Sequence, residues 1–377
     1  MRYLIYIFPT LVNMMFGGMF FITSYRFSEA GAPKLKIVAT MIAWATVYSI
    51  FSMLCGRIVN AKRAARMIML GCLFMFISAV GAIRLPGLDL QYLWLCLVAF
   101  GGAFYATAFQ VYMKSLEEGA SGGTVRSVAF YTTAWSLGIA IGPFIFGLIP
   151  WRIAYLCNAA GAVLIALGTL FISRHVEKKG ASASAAPVPE QEPLYQGRPN
   201  LVWVGWTAGL GASMYVSILR SLEPDLAVHF HIGQFHGAMV LALVSFTQAI
   251  FALFLSRSRL WMYSRLPVVF FMLFGVAGIW LMTFGDRSLP LMYASAVLCG
   301  IYTTPAYFLF VFHSLIHPTK NGIYVSINEA LVGVSGIVTP FLGGLIASHA
   351  STAAAFQAMG ICLVLLTGVQ LLLYRKA

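Results

Sequence analysis

The chain has 377 residues, of which 60% are hydrophobic and only 9% charged. Soluble domains carry about 25% charged residues, so this composition excludes one and leaves apolar mass that must face lipid or pack within a bilayer. A net charge of +13 would suggest a nucleic-acid partner in a soluble protein, but here the basic residues fall between apolar runs, which argues against that partner.

A run of about 20 apolar residues crosses a bilayer core. Twelve such runs can be marked, at 3–23, 37–55, 67–84, 90–113, 126–149, 153–173, 201–221, 235–256, 266–284, 289–312, 322–347 and 351–374. The first resembles a signal peptide in outline, yet it exceeds the usual core of about 7–15 residues and no clear A-x-A site follows. It is read as an uncleaved span. Pro9, Asn13 and Gly17 share one of its faces, with Asn13 near mid-depth, placed to bond a polar solute or a neighbouring helix.

Between the second and third spans, the short stretch Gly56 to Arg66 holds Arg57, Lys62, Arg63 and Arg66. Short loops dense in Lys and Arg stay in the cytoplasm. The side this loop defines collects 17 of the 24 Lys and Arg. The expectation is a multi-pass protein of the cytoplasmic (inner) membrane with both termini cytoplasmic.

The fourth span sets Tyr105, Phe109 and Tyr112 on one stripe, with Gln110 to one side. The fifth reads Gly138-x-x-x-Gly142-Pro143-x-x-x-Gly147. Glycines four apart let a neighbouring helix approach closely, and the proline loosens a backbone hydrogen bond. Plain packing and a sliding hinge are both open readings. Ala, Ser, Pro and Glu dominate 180–193, the composition of a flexible linker. It divides the chain into a six-span bundle 1–174, a linker 175–200 and a second bundle 201–377.

In the seventh span Ser213, Ser217 and Arg220 share a face and Tyr215 lies on another. Arg220 stands next to Glu223 and Asp225, so it either snorkels and pairs locally or serves as a handle for an anionic substrate. His229, His231 and His236 follow in the next loop, with too few other ligands for a metal site to be expected. The tenth span offers Tyr302, Thr303, Ala306 and Phe310. The eleventh repeats the glycine pattern as Gly336, Pro340, Gly343 and Gly344, and holds Glu329, the one acid well inside a proposed span. A carboxyl at that depth suits proton carriage; the alternative is an ion pair with Arg257, Arg259 or Arg265. All six cysteines lie in apolar runs without a CxxC pair, and neither metal nor cofactor is expected.

A shift of 197 residues aligns Tyr105 with Tyr302, Thr107 with Thr304, Pro143 with Pro340, and Gly147-Leu148-Ile149 with Gly344-Leu345-Ile346. Six spans separate the copies, so the repeats run parallel. Aromatic stripes at helical spacing are usually packing, but a pair recurring in both repeats would meet at a shared cavity.

Six spans plus six, a central linker and a basic loop after the second span resemble the major facilitator superfamily. Gly56 matches that family's loop motif, while Asn60 replaces its Asp, and Ala61 and Arg63 stand where Arg and Gly are expected. The fifth span is similar to the family's GxxxGPxxxG motif. The resemblance implies an all-α membrane fold of twelve helices in two parallel-repeat six-helix bundles, with the first, fourth, seventh and tenth spans around a central cavity. Substrate-binding candidates are then Asn13, Tyr105, Gln110, Tyr215, Gln248, Tyr302, Thr303 and Asn328, with Glu329 for proton coupling. Gly56, Asn60, Arg63, Arg66, Gly138, Gly142, Pro143, Gly147 and Pro340 are the candidates for conformational change.

Without a Walker loop, ATP is not expected to drive the process, and no HExxH, GxSxG or paired embedded carboxylates suggest an enzyme. The leading expectation is a monomeric secondary transporter of a small organic solute, with or without proton coupling. A charge-poor cavity suits sugars, nucleosides or hydrophobic drugs. A drug or metabolite efflux antiporter and a non-transporting sensor or assembly partner are the alternatives.

Overall fold

The computed structural model describes residues 6–59, 61–117, 124–179, 199–258, 260–284, 288–315 and 321–376. They form twelve membrane-length helices, with no strand among the described residues. In chain order these are α1 (Ile7–Glu29), α2 (Lys34–Ile58), α3 (Ala61–Arg84), α4 (Leu90–Glu117), α5 (Thr124–Leu148) and α6 (Trp151–Lys179). They continue with α7 (Val202–His229), α8 (Gln234–Leu255), α9 (Arg265–Met282), α10 (Leu289–Leu315), α11 (Asn321–His349) and α12 (Thr352–Lys376). Alternation of an even number of spans puts the start of α1 and the end of α12 on one side, termed here the terminal face.

Large apolar side chains stay exposed on α6 (Leu164, Leu167, Phe171), α9 (Leu266, Phe270, Leu273) and α12 (Ile361, Leu365, Leu372). Only a lipid solvent tolerates such a surface. Inside, glycines set the close contacts. A methyl at Gly138 would overlap the carbonyl of Thr10, and one at Gly142 the carbonyl of Met14, so α5 lies against α1 backbone to backbone. Gly71 and Gly101 do the same for α3 and α4. Between the halves, α1 packs on α7, α2 on α11 and α5 on α8. That seam also uses small residues: Gly147 meets Ala238, Gly336 meets Ala45, and Gly344 meets Val38.

The helices outrun the apolar stretches. Little of the basic loop is loop: α2 ends at Ile58 and α3 begins at Ala61, so Lys62, Arg63 and Arg66 ride on the first turns of α3. More consequentially, α7 continues through Pro224 to His229. Glu223 and Asp225, expected at a span edge, are therefore buried inside a helix. Hydropathy drops where charges begin, but the helix persists because those charges face other helices rather than water.

The corners after α1 and α7 share one geometry. Ala32 N–H donates to the Phe27 carbonyl (3.0 Å), and Ile232 N–H to the Ala227 carbonyl (2.8 Å). Gly31 supplies the left-handed residue of the first corner (φ 69°), whereas His231 supplies it in the second (φ 55°). His231 thus serves as a turn residue, and His236 Nδ1 lies 2.6 Å from the Tyr293 hydroxyl.

Candidate functional site: a cavity at the seam

A cavity of about 170 Å³ sits where the two halves meet. Its wall comes from α1, α2, α4 and α5 on one side and from α7, α10 and α11 on the other. On α1 it takes Pro9 to Phe20, on α10 Tyr307 to Val311, and on α11 Glu329 to Gly336. These segments lie from mid-helix toward the terminal face. Toward the opposite face the seam is closed: Lys34 of α2 forms an ion pair with Asp225 of α7, which also accepts from Thr352 Oγ1 at 2.9 Å.

The wall is largely aromatic. Trp44 and Tyr48, one turn apart on α2, stack at 4.7 Å between centroids, and Phe20 meets Trp44 edge-on at 4.9 Å. Trp135 of α5 touches Tyr307 of α10 across the seam at 5.4 Å. Trp44 Nε1, Tyr105 Oη and Ser213 Oγ are buried in this wall without a hydrogen-bond partner among the described residues. Asn13 donates to the Pro9 carbonyl at 2.8 Å.

Two charged side chains reach the cavity, which the sequence had suggested would be poor in charge. Glu329 enters from α11 and accepts from the Tyr48 hydroxyl at 3.3 Å. Arg220 enters from α7, with its guanidinium 5.8 Å from the Phe20 ring. Local pairing of Arg220 with Glu223 or Asp225 does not form: Asp225 is taken by Lys34, and Arg220 makes no ion pair with a described carboxylate.

Asn13, Tyr105 and Glu329 therefore lie together on the cavity wall. The other candidates are built into the second half. Tyr215 donates to the Gly275 carbonyl at 2.9 Å, and its ring lies 5.2 Å from that of Tyr302. Thr303 donates to the Gly300 carbonyl at 3.3 Å. Gln248 is buried beside α10, its carbonyl 3.5 Å from Thr304 Oγ1. Asn328 accepts from Trp206 Nε1 at 3.0 Å and Ser314 Oγ at 2.9 Å.

Of the conformational candidates, Gly138, Gly142 and Pro143 lie on the α1–α5 contact and Gly147 on the α5–α8 contact. Pro340 is buried inside α11, while Gly56, Arg63 and Arg66 are exposed. Asn60 and the side chain of Gln110 fall outside the described residues. Sequence reasoning did not single out Trp44, Tyr48, Tyr131 or Trp135. Their i, i+4 spacing on α2 and α5 was the available signal, but the resemblance had assigned the cavity to other spans.

Two solved structures share the overall fold. The human organic anion transporter MFSD10 (TETRAN) superposes with a TM-score of 0.68 over 98% of this chain and 99% of its own, at 12% identity. The nucleoside transporter NupG, solved as a point mutant, superposes with a TM-score of 0.64 over 100% of this chain and 99% of its own, at 14% identity. The chain shares the all-helical fold of these two transporters over nearly its whole length. No protein-family model matches the sequence, and no curated protein matches it. The cavity lies between the two packed halves, and the Lys34–Asp225 ion pair joins α2 to α7 toward the face away from the termini.

Proposed function

We propose that the chain is a secondary transporter that carries a small organic anion across the cytoplasmic membrane by alternating access. The N-terminal bundle 1–174 and the C-terminal bundle 201–377 rock about the cavity, with 175–200 as a cytoplasmic linker. The terminal face is cytoplasmic, by the excess of Lys and Arg there. Rigid-body rocking of paired bundles around a mid-membrane site is how parallel-repeat transporters expose one site to each side in turn.

The observation that carries the substrate class is Arg220, a permanent cation on the cavity wall with no carboxylate partner among the described residues. A guanidinium held at membrane depth is costly unless an anion or water neutralises its field. The aromatic wall supplies apolar contact for the body of the solute, and Ser213 and Ser217 stand on the same helical face as Arg220. Between the solute classes named for the two neighbours, organic anion and nucleoside, the unpaired Arg220 favours the anion. Glu329, hydrogen-bonded to Tyr48 on the same wall, is the group proposed to carry a proton with the solute.

The test is a panel of aromatic carboxylates and their uncharged amides, scored by thermal stabilisation of the purified protein. A ligand bound at about 100 times its Kd adds about 2.7 kcal/mol, enough to read as a shift in Tm. Carboxylates should stabilise the wild type and not Arg220→Gln. Equal stabilisation by the amides would overturn the substrate class, and absence of flux in vesicles for every stabilising compound would overturn the transporter reading.

A further inference from the structure

Glu223 lies one turn beyond Arg220 on α7, is 0% exposed, and lines neither the cavity nor the small void beside it. Both of its carboxyl oxygens are without a hydrogen-bond partner among the described residues. It faces the junction of α7 with α8 and, across the seam, α1: a methyl built on Gly237 would lie 3.7 Å from Oε1, beside Ala227 and 3.9 Å from Phe21. A carboxyl here is therefore enclosed by apolar groups from both halves.

Among the described residues, the charged or titratable groups near this end are either engaged elsewhere or exposed. On α7, Arg220 turns to the cavity, Asp225 binds Lys34, and exposed His229 packs on Phe230. From α1, Arg26 donates to the Pro86 carbonyl and stacks on Trp151, Tyr25 packs on Phe21, and Glu29 is exposed. From α2, Lys36 approaches Asp89 at 3.8 Å. From α8, His236 meets the Tyr293 hydroxyl, while His231 in the preceding turn and His349 at the end of α11 are exposed.

We propose that Glu223 is a proton-binding site in the seam, separate from the solute cavity, and that the seam closes on the face away from the termini only when the proton is bound. A bare carboxylate sealed among Phe21, Ala227 and Gly237 is unfavourable, since nothing replaces the water it loses. The neutral acid is tolerated there. When α1 and α7 part, the carboxyl meets water from that face and releases its proton to it. When they close, it takes a proton from the same water. Glu329 differs, because it opens on the cavity and has Tyr48 as a donor. The inference rests on the alternating-access reading but needs no solute, so its failure can be told from a failure of the substrate assignment.

The test is a distance measurement between spin labels at Ala30→Cys and Gly233→Cys, two exposed positions on the corners after α1 and α7. Half-buried Cys96, Cys157 and Cys362 are replaced by Ser, and the full chain is studied in detergent from about pH 5 to pH 9, the span over which one linked proton acts. In the wild type the ratio of long to short distances should rise with pH, by up to about tenfold per unit for one linked proton. Glu223→Gln, neutral at every pH, should hold the short distance throughout, and Glu223→Met should behave likewise if the glutamine variant does not fold. The histidines remain in both variants, so any response they cause survives the substitution. A wild type without a pH response, or one that Glu223→Gln or Glu223→Met leaves unchanged, would overturn the proposal.

Discussion

Replacing Gly142 with alanine tests whether the glycine pattern of α5 serves packing or sliding. The added Cβ would overlap the Met14 carbonyl oxygen and come 2.6 Å from the Gly18 nitrogen. Both are backbone atoms of α1, so no side chain can rotate away and the helices must separate. Overpacking of this kind costs about 1–3 kcal/mol, and backbone opposition puts Gly142 toward the upper end. Alanine returns about 1 kcal/mol of helix propensity, leaving a net loss of roughly 1–2 kcal/mol. Gly56→Ala is the matched control, because a Cβ there meets nothing within 4 Å. It should be neutral or stabilising. Thermal unfolding of the two purified variants decides the matter: Gly142→Ala should melt several degrees below Gly56→Ala, with the distance between the corners unaltered. Equal melting temperatures would refute the steric argument, and an intact Tm with an altered corner distance would favour the sliding hinge.

Asp225→Asn removes the charge that joins α7 to Lys34. Hydrogen bonds to charged groups contribute about 1.5–3 kcal/mol, but the Lys34 side chain is 33% exposed and screening reduces the loss to about 1 kcal/mol. The open fraction at the corner labels should then rise about fivefold; no change would show the pair to be incidental. His231→Gly relieves a left-handed backbone at φ 55° and should stabilise by about 1 kcal/mol, read as a raised Tm. Glu329→Gln should abolish uphill accumulation of solute while sparing exchange, and unchanged proton coupling in that variant would remove Glu329 from the carrier role.

Span number and parity were legible because bilayer thickness imposes a length that apolar runs must meet. The glycine contacts of α5 were legible in kind, since small residues four apart always allow close approach. Helix ends on α7 were not. A hydropathy window stops at Arg220, Glu223 and Asp225, whereas the helix continues because those three residues face the cavity, the α1–α8 junction and Lys34. Cavity position was partly legible. The alignment of Tyr105 with Tyr302 was apparent, yet Tyr105 lines the cavity while Tyr302 packs under Gly275. On α10 the cavity takes Phe310, which the sequence had offered, together with Tyr307 and Val311, starting about a turn and a half beyond Tyr302. Periodicity says which residues share a face. Which face meets the partner depends on tertiary packing, here the close approach of α9 to α10.

One helix carries the proposed solute handle, the proposed proton site and the seam ion pair within the six residues from Arg220 to Asp225. At about 100° per residue, these side chains leave α7 in three directions, toward the cavity, the α1–α8 junction and α2. A single rigid movement of α7 must therefore change all three environments together. If an anion at Arg220 and a proton at Glu223 each favour the closed seam, linkage requires each to strengthen binding of the other by the same factor. Titrating the corner distance against pH, with and without a saturating carboxylate, reads that factor directly. The midpoint should move to higher pH when the carboxylate is bound, since the closed seam then holds its proton more firmly. A midpoint indifferent to a bound carboxylate would mean that the two sites lie on one helix but do not act through it.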